Sequence, residues 1–171
     1  MIYVIAAFAA SAVLIYLTAD SVWRSRSDYT FAAPRRFVFI FLSLTWGLPM
    51  TLAGAFAALF LLLTGHRPRR FGYCALFELP RVGFGLSLGP FLIAPADDRL
   101  TAAHEHGHSL QNVYLGPFMP FCVSLPSAVR YHCRNLKMKI AKKPCRRKYD
   151  AIWFEHTATE SGMELHKRKI L

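Results

Sequence analysis

The sequence predicts a mainly α-helical integral membrane protein in which a short β-strand or hairpin precedes a helix carrying a histidine-rich motif. Three observations predict it. Hydrophobic residues fill 54% of the 171 positions and the mean hydropathy is +0.27, high for a water-soluble chain. Two uncharged runs, residues 1–19 and 37–64, are long enough to cross the hydrocarbon core as helices. The third is "HEHGH" at 104–108, set among helix formers between Asp97-Asp98 and Gly116-Pro117.

Taken in order, the first run "MIYVIAAFAASAVLIYLTA" has no basic residue ahead of it and exceeds a usual signal-peptide core, which favours a transmembrane helix over a cleaved leader. A polar loop with Arg24, Arg26, Arg35 and Arg36 follows, with Pro34 near its end. The second run, 37–64, allows one long tilted helix, or two half-helices if Gly47 and Pro49 break it. Residues 1–64 are thus the transmembrane region and 65–171 a membrane-associated region. Of the 21 basic residues 17 lie beyond residue 65, which places that region on the cytoplasmic side. Two spans would put the N-terminus there as well, and the four arginines of the first loop oppose that arrangement.

"FGLSLGPFLIA" (84–94) alternates Phe84, Leu86 and Leu88 with Gly85, Ser87 and Gly89, the period of a strand, and Pro95 ends it. "DRLTAAHEHGHSLQNVYL" continues as a helix up to Gly116. Residues 112–131 are apolar but broken by Pro117, Pro120 and Pro126, which suits a re-entrant or interfacial segment. Residues 132–149 hold eight basic side chains and predict a solvated or headgroup-facing linker. A final helix covers 150–168. The four cysteines, Cys74, Cys122, Cys133 and Cys145, lack CxxC spacing and are expected as free thiols. The net charge of +11 suits an anionic lipid surface better than nucleic acid, since no aromatic stacking platform or nucleic-acid motif accompanies the lysines.

On a helix, His104 and His108 project from one face a turn apart, the HExxH arrangement for two zinc ligands. Glu105 then stands where a general base can hold a water and take its proton. His106 points away. On a strand, His104, His106 and His108 would instead share a face, but the flanking residues favour a helix. With this histidine and glutamate content the motif arises by chance in roughly one such chain in a hundred, so a histidine-rich surface turn is the bland alternative. A catalytic zinc needs a third protein ligand. "DAIWFEHTATESGMEL" (150–165) offers Glu155, His156 and Glu160.

HExxH followed some tens of residues later by a glutamate on a second helix resembles the gluzincin group of zinc metalloproteases, and in particular its membrane-embedded members. More closely, "SLGPF", "HEHGHSLQNVYLGPF", "LPSAVRY" and "WFEHTATESG", with "TWGLPMTLAG" ahead of them, resemble a family of small bacterial integral membrane proteins with gluzincin-like motifs. The similarity covers roughly residues 45–165. It implies that Zn²⁺ is held by His104, His108 and Glu155, with Glu105 as base, in a bacterial inner membrane. The aspartate that usually orients a ligand histidine is replaced by Thr159, an uncharged acceptor. Met50 stands where the family has glutamine.

The expected function is therefore peptide-bond hydrolysis by a membrane-embedded metallopeptidase, with the lipid bilayer and a peptide or protein substrate as partners. The strand around Leu86, Ser87 and Leu88 would bind an extended peptide by edge pairing. The alternative is a non-catalytic membrane protein whose zinc site is structural or vestigial, closed by a fourth ligand such as His156. Gln111 is expected to solvate its helix and His132 to lie at the surface. Met50, Phe84, Phe91, Phe118 and Phe121 are expected to pack or to touch lipid.

Overall fold

The computed structural model describes residues 33–141 and 152–170. The expected span at 1–19 and Cys145 lie outside the described residues. In chain order come α1 (Ala33–Leu44), α2 (Leu48–Leu63), β1 (Arg69–Phe71), β2 (Cys74–Leu79), β3 (Leu86–Leu88), β4 (Phe91–Pro95) and α3 (Arg99–Leu115). A 3₁₀ turn (Gly116–Phe118) and a π-helical turn (Pro120–Ser124) lead into α4 (Leu125–Ala141), and α5 (Trp153–Ile170) follows. Among the described residues, five helices and a four-stranded mixed sheet replace the mainly α-helical membrane fold that the composition predicts. No single described helix is long and apolar enough to cross a membrane.

The run 37–64 shows why. It is divided by a bend of 93° between α1 and α2. Pro49 sits in the first turn of α2, where its missing N–H is harmless, but it cannot extend the ladder of α1. The Gly47 amide bonds back to Leu42 O at 2.8 Å, which leaves the Ser43 carbonyl without its helical donor. The buried Thr51 hydroxyl takes that place, 2.7 Å from Ser43 O and 3.0 Å from Gly47 O.

The strand order is β1-β2-β4-β3, with β1–β2 and β3–β4 antiparallel hairpins and β2 parallel to β4 between them. The expected strand at 84–94 is thus a hairpin turning at Gly89-Pro90. Alternate residues of the central strands face opposite ways. Leu76, Leu92 and Ala94 join Phe39, Phe71, Tyr73, Ala102 and Ala103 on the side of α1 and α3. Phe77 and Phe91 join Ala55, Ala58 and Leu61 of α2 on the other. Helices therefore cover both faces. Much of the apolar sequence that suggested lipid is consumed in burying this sheet.

Asp98 caps α3 by accepting from the Thr101 amide at 3.0 Å and the Thr101 hydroxyl at 2.6 Å. Within the broken segment and linker expected over 112–149, residues 125–141 form one continuous helix, α4, while 142–149 lie outside the described residues. Pro126 falls in the first turn of α4, where proline is tolerated, and no further breaker occurs before Pro144. α5 crosses α3 closely enough that a methyl group on Gly107 would strike the Ala158 carbonyl, and one on Gly162 the Ala103 carbonyl. Small residues at both crossings let the two backbones touch.

Candidate metal centre

That close crossing places Glu155, in the first turn of α5, against the histidine pair of α3. His104 and His108 stack one turn apart with ring centroids at 4.7 Å and planes at 87°. Glu155 Oε2 lies 3.1 Å from His104 Nε2 and 3.3 Å from His108 Nε2. A tetrahedral ion with bonds of about 2.0–2.2 Å sets its ligand atoms roughly 3.3–3.6 Å apart, close to this spacing. The Glu155 side chain is fully buried, and the amino-terminal end of α5 favours its negative charge.

The outer hydrogen bonds fix which nitrogens face the centre. His104 Nδ1 lies 2.9 Å from the Thr159 hydroxyl, whose proton goes to the Glu155 carbonyl at 2.9 Å. The hydroxyl oxygen therefore accepts from Nδ1–H, leaving Nε2 as the ligand atom. The Gln111 amide nitrogen donates to Phe154 O and Thr157 Oγ1, both at 2.7 Å, so its Oε1 accepts from His108 Nδ1–H at 2.8 Å. Gln111 is buried and holds the His108 ring; the expectation that it solvates the helix is corrected. Ser127 of α4 donates to Glu155 Oε1 at 2.6 Å, so only Oε2 faces the histidines.

Two imidazole lone pairs and a carboxylate oxygen converging on one point need a cation between them. A proton can serve: burial opposes charging His108, but its bonds to Glu155 and Gln111 and the nearby Glu105 charge raise its pKa. A metal ion serves equally, and the three ligand atoms lie within 4.8 Å of one another. Two imidazole nitrogens and a carboxylate oxygen form a donor set of the kind zinc accepts.

Glu105 is 7% exposed and packs against Gly85, where an added Cβ would run into the Glu105 side chain. Burial raises its carboxyl pKa, and the adjacent His108 and His104 partly counter that rise. Glu105, His104, His108 and Glu155 open on a cavity of about 780 Å³ whose other walls include Met50, Leu86, Leu88, Met119, Val123 and Tyr131. Such a volume accommodates several residues of a peptide or a small organic ligand.

Of the other expected residues, Leu86, Ser87 and Leu88 form β3, the terminal strand of the sheet, and line the cavity. The Ser87 hydroxyl is turned to Ser109 at 3.1 Å, so it ties the hairpin to α3. His106 is fully buried; its Nε2 accepts from the Tyr73 amide at 3.2 Å, a packing role. His156 is exposed and pairs with Glu160 at 3.5 Å, away from the centre. His132 is exposed yet lines the cavity, and Met50 both lines it and packs on Met119 and Val123. Ser127 went unassigned in the sequence, where its only trace is the "LPSAVRY" similarity. No protein-family model, curated protein or solved structure matches the chain, so the geometry alone carries the functional argument.

Proposed function

We propose that the protein is a zinc-dependent peptidase, with His104, His108 and Glu155 as ligands and Glu105 as general base. One observation carries the proposal. Three donors converge with both Nδ1 protons tied elsewhere, while a buried fourth group of raised pKa stands beside them on the helix of the two histidines and faces the same cavity. Bound zinc would polarise a carbonyl and lower the pKa of a water.

The residues of the chain supply the rest. Glu105 takes a proton on its carboxylate and returns it to the leaving amine, and its raised pKa brings it nearer the working range of such a base. The hydrogen bonds from Ser127, Thr159 and Gln111 keep the ligand atoms aimed without reorganisation. An extended peptide pairs with the outer edge of β3, so its backbone supplies register and the apolar walls accept its side chains. Among the described residues His156 does not approach the donor group, and no fourth protein donor joins it.

Incubating the protein with a mixed peptide library, with and without zinc, tests this. The wild type should cleave and Glu105→Gln should cleave about 10²- to 10⁴-fold more slowly, with zinc content unchanged. Equal cleavage by the two would remove Glu105 from the mechanism. Zinc binding without cleavage by the wild type would leave a structural centre.

A further inference from the structure

Helix α4 turns an apolar stripe away from the protein. Leu125, Val129, Leu136 and Ile140 are 59%, 53%, 58% and 75% exposed. At 3.6 residues per turn they fall with Cys133, also exposed, into one narrow strip along the helix. Arg130 and Lys137 border one side of the strip, and His132 and Lys139 the other. The 17 residues of α4 contain no aspartate or glutamate. Its closest packing is on the π-helical turn before it.

We propose that α4 docks on an anionic lipid surface, inserting this stripe between headgroups while Lys137 and Lys139 reach the phosphates. A narrow apolar strip between basic borders, on a helix of low overall hydrophobicity, is the design of an interfacial helix. The charge pattern selects the occupant. A second copy would bring the same cations face to face, whereas the chain carries a net charge of +11 that an anionic bilayer attracts. The opposite side of α4 carries Ser127 and Tyr131, which line the cavity.

Cys133 supplies a reporter confined to α4. In the full chain, Cys122→Ser and Cys145→Ser leave it the accessible thiol, since Cys74 is buried and burial pushes its pKa up to about 12. A polarity-sensitive dye on Cys133 is mixed with vesicles of phosphatidylcholine, with and without phosphatidylglycerol. The expected result is a blue shift with the anionic vesicles only, reversed by salt. Lys137→Ala and Lys139→Ala should each raise the lipid needed about fivefold while circular dichroism stays unchanged. An unshifted dye on anionic vesicles, an equal shift on phosphatidylcholine alone, or indifference to both lysine changes overturns the proposal. So does a shift that grows with protein concentration without vesicles, which would assign the stripe to contact between copies.

Discussion

At the residue scale the centre depends on uncharged partners. Thr159 accepts the His104 proton where a carboxylate would hold it more firmly, and Gln111 does the same for His108. Thr159→Val should therefore weaken zinc binding by about 10- to 100-fold without unfolding the chain, and Thr159→Asp should strengthen it; a competition titration against a chromophoric chelator measures both. The pH dependence of the metal-free protein follows from two opposed shifts. Burial alone would raise the Glu155 carboxyl, but hydrogen bonds with His104, His108 and Ser127 outweigh it and hold the group well below the usual carboxylate range. Its contribution to stability is present above the unfolded carboxylate pKa and disappears as pH falls through the folded value. The raised pKa of His108 acts oppositely: its contribution is complete below the ordinary histidine pKa and disappears as pH rises through the folded one. Thermal melts of chelator-treated protein should therefore peak between the carboxylate and histidine ranges. Zinc affinity should climb by about tenfold per pH unit while one histidine proton must be displaced. His104, Glu105 and His108 were legible in the sequence because helical spacing is local. Gln111 and Ser127 were not, because the Phe154 carbonyl and Thr157 hydroxyl that orient Gln111, and the Glu155 oxygen that Ser127 holds, arrive from elsewhere in the chain.

At the element scale, the α3–α5 crossing decides whether the ligands meet. Gly162→Val should force the helices apart and lose zinc at temperatures where circular dichroism still reports a folded chain, at a stability cost of about 1–3 kcal/mol. Phe77→Ala, on the far side of the sheet, should cost about 3–5 kcal/mol and leave zinc affinity unchanged. The comparison separates contact between helices from stability in general. α3 was legible because Asp98 announces its start and Gly116 its end. The β3–β4 hairpin showed in its large–small alternation. β1 and β2 escaped notice because "CALFEL" is apolar toward both faces and shows no alternation. The long run 37–64 was apolar enough for a span, and only the Gly47–Pro49 elbow, steadied by Thr51, turns it into two packed helices.

At the scale of the whole molecule, hydropathy did not reveal the sheet because it counts apolar residues without saying what they face. Here one set covers the sheet from both sides, and another remains exposed along α1, α2 and α4. The His104–His108–Glu155 group joins α3 to α5 directly and to α4 through Ser127, so an ion bound there would cross-link three parts of the fold. Zinc at a hundred times its Kd should add about 2.7 kcal/mol, and a chelator should lower the Tm by roughly 5–10 °C in differential scanning fluorimetry. X-ray absorption at the zinc edge of the loaded protein tests the central claim most directly. The predicted spectrum shows two imidazoles and light oxygen scatterers at about 2.0–2.2 Å, with one imidazole lost in His108→Ala and the carboxylate lost in Glu155→Ala. A sulfur shell at about 2.3 Å, or a spectrum that neither substitution changes, would contradict it.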